Sequence, residues 1–535
     1  MRAKLIYPVV AFVVIAMMGC SDLSEELVSS TTADDQFATS EGLDQALVGA
    51  YRPLRGFWGR EPGLLMTMFG TDLFTIGQSY NPWWDTYGGG LNPSVLQEPQ
   101  GEVLVWDRFY RGINNANTVI SRAKEIDELD QDTKNRKVAE ARFLRAHYYF
   151  ILVQHFGPIH VTTEETREVE LQAERAPVEE VYNLIVDDLN FAREHLPVEQ
   201  EQPGQPTHYA AINFLAKVHL TRENWEKASD HAVEVINSGQ YRLLDDYSDV
   251  FDPFSQDHDE VVWSVQWNSN SEVNQPDNQL QRFLSPRQWY IDGLVGDEMY
   301  GIGIARFRPT ENLIKNIYNN DYREKGKINI KNDVRYKVTF KELWRYNDEN
   351  SVPDESAVGD TAAWFTVDPI VQEMSDEEVK EKEYELRPMR MWNDSFFSVV
   401  VKHRYPNNRR HDRDYMWMRL GETYLIAAEA LMRQGKNGEA VEYFNKVRKR
   451  AEAPGEEIPL MTASELDIDE ILDERARELA GELHRWTDLK RTGKLLERAS
   501  EGNPRAEPQE YHRLRPIPQR QIDRTENDYP QNPGY

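Results

Sequence analysis

The chain has 535 residues and a formal net charge of −29, from 62 Lys+Arg against 91 Asp+Glu. Such a surface repels phosphate backbones and excludes nucleic acid as a natural partner. Acidic composition alone favours disorder, but 13 Trp, 25 Tyr and 20 Phe argue for a folded chain, and its length exceeds one ordinary core.

At the N-terminus, Arg2 and Lys4 precede an apolar run, Leu5 to Met18, which is too short to span a bilayer but suits a signal peptide. The run ends Met17-Met18-Gly19-Cys20, which looks like a bacterial lipobox. Residues 1–19 therefore read as a lipoprotein signal peptide and 20–38 as a flexible tether acylated at Cys20. Several acyl chains on one residue anchor far more firmly than one, at about 0.8 kcal/mol per buried CH₂. Cys20 is the single cysteine, so acylation leaves no thiol for disulfide, metal or nucleophilic chemistry.

Residues 39–240 read as a helical region. Leu43, Ala46, Leu47 and Ala50 share one helix face, with Pro53 and Gly56 as the expected stop. Val103–Ala123 is a second helix. Lys134–Phe156 is a third, apolar nearly all round, closed by Gly157-Pro158. A helix of that kind needs neighbours on every side, and its Arg and His side chains read as clamps on those neighbours. Pro177 opens a helix that runs to His195 with acids at its positive end. Thr207–Leu220 and Trp225–Ser238 form a pair, with Ala216 and Ala228 at the crossing. The same spacing returns at Ala428 and Ala440 around a Gly435–Gly438 turn, followed one helical turn later by Phe444. Small residues at the crossing of two helices are the tetratricopeptide pattern.

Residues 241–415 differ: they form a loop-rich, aromatic, partly β insert. Val261, Trp263, Val265 and Trp267 alternate as a strand does, and Val399 and Val401 read similarly. Residues 416–535 return to helices. Leu466–Leu489 carries Glu474, Arg475, Arg477, Glu478, His484, Arg485 and Asp488, an ion-pair-laced helix pair. The Pro-rich end has a composition that suits packing back onto the body.

At this point the residues carry a family resemblance. The pieces are Gly19-Cys20, Ala141-Arg-Phe-Leu-Arg-Ala146 with Phe156-Gly157, Tyr424 to Ala430, Asn445-Lys-Val-Arg448, Glu474 to Ala480 with His484-Arg-Trp486, Pro516-Ile-Pro518 and Gln531-Asn-Pro-Gly-Tyr535. In this order, over almost the full length, the chain resembles the SusD/RagB family of nutrient-binding outer-membrane lipoproteins of Bacteroidetes. The resemblance implies a mainly α fold, with a tetratricopeptide-like helical-repeat platform and a loop-rich, partly β ligand-binding region. It implies attachment to the outer membrane facing the cell exterior, and Asp22, Glu25 and Glu26 resemble the acidic export signal of such lipoproteins. It implies a SusC-like TonB-dependent barrel as partner, and capture without catalysis of a glycan or oligosaccharide, less often a peptide.

Sugars present C–H faces that stack on Trp and Tyr, and hydroxyl rims that Asn, Asp, Gln and Arg bind. The candidates are Asn81, Trp83, Trp84 and Asp85 in one Gly/Asn/Pro-rich loop, and Arg287, Trp289 and Tyr290 in another. Trp344, Tyr346 and Trp392 with Asn393 follow. The alternative is that these rings wedge the loops onto the platform or face the partner barrel. No cofactor is expected: calcium suits the acidic charge, but no loop has the ligand spacing for it. Two other function classes stay open: a surface-anchored glycoside hydrolase, which needs two carboxylates about 5–10 Å apart, and a protein-only repeat scaffold.

Overall fold

The computed structural model describes residues 36–78, 105–268, 270, 276–296, 302–319, 329–348, 358–405 and 412–535. Helices dominate, and they pack in the order of the chain. The N-terminal ones are α1 (Ser40–Trp58), α2 (Glu61–Thr67), α3 (Val105–Arg122), α4 (Gln131–Phe156), α5 (Val178–His195), α6 (His208–Thr221) and α7 (Trp225–Asn237). Helix α1 does not stop at Pro53 as expected but runs through it to Trp58. The missing N–H of an interior proline costs ~3 kcal/mol. Burying Leu54, Phe57 and Trp58 on the same face returns more, at roughly 1.5–3 kcal/mol for each such side chain.

Helix α4 is the central one. Asp130 caps it by accepting from the Thr133 N–H at 2.9 Å, and the chain leaves it at Gly157, whose φ of +70° would strain a residue with a Cβ. From Phe143 to Phe156 every residue of α4 is buried. Its polar groups are clamps, as expected. Arg145 forks onto the Asp188 carboxylate of α5 at 2.8 and 2.7 Å and donates to Asn117 of α3 at 2.7 Å. His147 accepts from the Trp58 indole N–H at 3.0 Å. Burial, with Lys217 nearby, pushes its pKa down to about 3, so it is a neutral acceptor. Among the described residues no helix is long and apolar enough to cross a membrane.

The repeat pattern continues across the insert. Helices α8 (Leu420–Arg433) and α9 (Asn437–Arg450) form the second hairpin, closed by Leu425, Ala428, Ala440 and Phe444. Helix α8 packs on α7: Ala216, Ala228 and Ala232 meet Ile426, Ala427 and Ala430 in one cluster. Two hairpins on either side of the insert in sequence thus stack as neighbouring repeats.

Sheets are small. Among the described residues β1 (Phe74–Ile76) pairs with β3 (Phe307–Pro309), and β2 (Val261–Val265) with β9 (Tyr415–Arg419). Likewise β4 (Phe340–Lys341) pairs with β8 (Val399–Val400), and β5 (Leu343–Arg345), β6 (Thr361–Thr366) and β7 (Glu385–Pro388) make one three-stranded sheet. The β2–β9 ladder is antiparallel and stitches the beginning of the loop-rich region to its end.

The charged stretch after Leu466 resolves into α10 (Ile468–Leu479) and α11 (Arg485–Arg491). Its charges from Asp473 to Asp488 are buried. Arg419 donates to Glu478 at 2.6 Å, Glu482 at 2.6 Å and Glu260 at 2.9 Å. Arg335 reaches Glu474 at 2.8 Å, and Arg450 reaches Glu260 at 2.8 Å. Burial alone would raise the Glu478 pKa, but Arg450, Arg419 and Arg335 around it bring it down to about 2. Buried ions require such pairing, because an uncompensated one costs several kcal/mol. The C-terminal tail packs back as expected: the Asn532 amide donates to the Phe156 carbonyl at 2.9 Å, and the Tyr535 hydroxyl to the Leu514 carbonyl at 2.8 Å.

Candidate functional site

Of the residues expected to meet ligand, the first group, Asn81, Trp83, Trp84 and Asp85, lies outside the described residues, as does Cys20. The second group comes together. Gln288–Tyr290 is a single 3-10 turn that presents Trp289 and Tyr290 to solvent, 40% and 51% exposed. Their ring centroids lie 4.1 Å apart with planes at 60°, so the two rings form angled walls.

Both rings are held. The Trp289 indole N–H donates to the Gly303 carbonyl at 2.9 Å. Only glycine fits at 303, because a Cβ there would sit 1.9 Å from the Pro286 carbonyl oxygen. The Arg287 guanidinium donates to the Tyr290 hydroxyl at 2.7 Å and lies 5.4 Å from the centroid of its ring. The Arg287 backbone N–H donates to the Ser395 carbonyl at 2.9 Å, and the Ser395 hydroxyl donates to the Gln78 side chain at 2.8 Å. Gln78 is the last described residue before the stretch that carries Asn81 to Asp85. Immediately after the turn, Ile291 and Leu294 sink into a cluster with Trp344 and Phe365.

That cluster removes Trp344 from the candidates. Alternate residues of a strand face opposite sides, and on β5 the side that Trp344 takes is the covered one, leaving it 3% exposed. The Lys341 ammonium lies 4.2 Å from the centroid of its ring. Trp344 is a support for the turn, not a stacking surface. Trp392 is half-buried against the same cluster, with its N–H on the Arg387 carbonyl at 3.2 Å. Asn393 accepts from the Ser395 and Phe396 N–H groups at 2.8 and 3.0 Å and so shapes its own turn.

Asn347 is absent from the sequence candidates. Its side chain accepts from the Val295 N–H at 2.9 Å and its amide donates to the Val295 carbonyl at 3.3 Å. Together these fix the backbone that follows the aromatic turn. No local signal points to it, since the partner is 52 positions away. Among the described residues no group of three or more His, Cys, Asp or Glu side chains is arranged to hold a metal ion. His484 is buried beside Glu422 and Lys217. Chemically, the turn offers two aromatic faces for apolar C–H surfaces and a guanidinium at their edge for hydroxyl or carbonyl oxygens.

Comparison with known proteins agrees with this architecture. Residues 22–220 match the family described as starch-binding associating with outer membrane. The chain is 29% identical to SusD-like protein P2 of Formosa agariphila, covering 98% of this chain and 99% of that one. It is 25% identical to the starch-binding protein SusD of Bacteroides thetaiotaomicron, covering 81% and 78%. Among solved structures, a laminarin-binding SusD-like protein superposes with a TM-score of 0.70 at 23% identity, over 93% of this chain and 100% of that one. Surface glycan-binding protein A from Bacteroides thetaiotaomicron, in complex with laminarihexaose, does so with a TM-score of 0.68 at 20% identity, over 92% and 99%. Residues 259–535, just over half of the chain, match the model of the SusD family, and the chain belongs to that family.

Proposed function

We propose that this protein is a cell-surface lipoprotein that captures an oligosaccharide and passes it to a SusC-like TonB-dependent barrel, without catalysis. The observation that carries this reading is the exposed Trp289–Tyr290 pair, oriented by Arg287 and Gly303, in a chain of the SusD family. Exposed rings fixed by hydrogen bonds are organised before a ligand arrives, which lowers the ordering cost of binding. The laminarin-binding relative and the laminarihexaose complex make β-glucan oligosaccharides the first ligands to try. Asn81, Trp83, Trp84 and Asp85 complete the proposed surface, and Cys20 is the proposed acylation site at the outer membrane.

The test is calorimetric titration of the mature chain with laminarihexaose and other neutral oligosaccharides, alongside an assay for new reducing ends. Saturable binding that weakens in Trp289→Ala, with no reducing ends released, supports capture. Release of reducing ends supports a hydrolase instead, and absence of binding to every glycan leaves a protein-only scaffold. Mass measurement of the N-terminal peptide from outer membranes tests acylation of Cys20. Isolation of the acylated protein together with a TonB-dependent barrel tests the partner.

A further inference from the structure

On the other side of the β5–β6–β7 sheet lies a cleft of about 600 Å³, within the range of about 300–1,000 Å³ typical of small-molecule sites. The pairing register separates it from the aromatic turn. Leu343 pairs with Trp364, and both line the cleft; Trp344 pairs with Ala363, and both face the cluster beneath the turn. A paired residue shares its partner's face, so the cleft and the Trp289–Tyr290 turn stand on opposite faces of one sheet.

The charges of the cleft are unevenly satisfied. Its two carboxylates are engaged within the fold. Glu342 accepts from the Tyr336 hydroxyl, from the Thr366 hydroxyl at 2.8 Å and from the Val367 N–H at 3.2 Å. Asp368 caps the turn that follows it, accepting from the Ile370 N–H at 2.9 Å and the Val371 N–H at 3.3 Å. Of its three cations, Lys341 lies over the Trp344 ring, and the other two are not so engaged. Among the described residues neither Lys337 nor Arg404 has a carboxylate partner. A cation that the fold leaves without a carboxylate can take one from a ligand, in a charge-assisted hydrogen bond. In a chain of net charge −29 most of the surface repels anions, so a wall carrying Lys337 and Arg404 is a local exception. Beside them the half-buried Trp364 offers a ring for stacking.

We infer that this cleft is a second binding site, separate from the aromatic turn, for an acidic sugar unit whose carboxylate or sulfate meets Lys337 and Arg404 while its ring stacks on Trp364. The choice of a sugar rests on the proposed glycan capture; the separate site and its preference for an anion rest on the cleft alone. Uronate and sulfate esters share the chemistry that the two cations recognise, and the experiment tells them apart.

The test titrates the full mature chain with trigalacturonate, a sulfated κ-carrageenan tetrasaccharide, sodium sulfate and neutral laminarihexaose, at low and at high salt. The expected result is salt-sensitive binding of at least one of the two acidic oligosaccharides, weakened at least tenfold by Arg404→Gln and severalfold by Lys337→Gln and Trp364→Ala. Lys337 is exposed, so its variant keeps the test valid if Arg404→Gln unfolds. Trp289→Ala should leave this binding in place while weakening any binding of laminarihexaose. Failure of both acidic oligosaccharides to bind, or binding that Lys337→Gln and Arg404→Gln leave unchanged, overturns the site. Sodium sulfate binding as tightly as the sulfated tetrasaccharide overturns the sugar assignment. Loss of laminarihexaose binding alone counts against the aromatic turn and not against the cleft.

Discussion

In the helical half of the molecule Arg419 is enclosed by Glu260, Glu478 and Glu482 and is almost entirely hidden from water. In the loop-rich half Arg287 lies at the edge of the surface and holds a tyrosine hydroxyl and a main-chain oxygen. Among the tryptophans, Trp486 and Trp417 of the helical half are buried; in the loop-rich half Trp344 is covered as well, whereas Trp289 is 40% exposed. Paired charges fix the helices and strands against one another, because separating them would strand ions in a poorly solvated interior. On that fixed base a short turn can leave two rings in water without losing their orientation.

The largest effect is expected for Arg419→Met. It leaves three carboxylates facing one another without their guanidinium, and unfolding in urea should show a loss of ~3–5 kcal/mol. A loss below about 1 kcal/mol would mean that the network is not what holds the base. Next, Trp344→Ala should cost ~3–5 kcal/mol of stability through the cavity it leaves, while the folded fraction keeps its affinity for ligand. Lower affinity with unaltered stability would return Trp344 to the binding surface.

Acid probes the charged half selectively. Arginines and, for Glu482, also Lys402 overcome the effect of burial and hold the Glu478 and Glu482 pKa values at about 2. Folded values below the unfolded one, about 4.3 for Glu, mean that the stabilisation is fully present above that pH. It is lost as the pH falls toward 2, by roughly 3 kcal/mol per carboxylate if each acted alone. Thermal melts between pH 5 and 2 should therefore fall steeply, and Glu482→Gln should flatten the fall. The smallest effect belongs to Trp289→Ala: an affinity loss that includes ~0.5–1.5 kcal/mol for stacking beyond area burial, with an unchanged melting temperature. A lowered melting temperature would make Trp289 a wedge of the fold.

Much of the helical half is legible in the sequence because its signals are local. The apolar positions of α4, the Asp130 cap and the alanines at 216, 228, 428 and 440 each declare a helix or a crossing within a few turns. Pro53 misleads because a local stop signal competes with burial that only neighbouring helices create. The insert is less legible. Trp289 and Trp344 both sit among polar and aromatic neighbours, and nothing in either stretch tells which ring is covered. Asn347 gives no sign of its role, since Val295 becomes its partner only when two loops meet.

The sequence by itself determined the family, the helical repeats and the concentration of aromatic residues in loops, because composition, period and motif order are properties of the chain read along its length. Tertiary structure decided which of those aromatics face water, how the charges after Leu466 are paired, and that Lys337, Trp364 and Arg404 line one cleft. Each of these depends on which residues meet across long separations in sequence, and strand register and helix packing set those meetings.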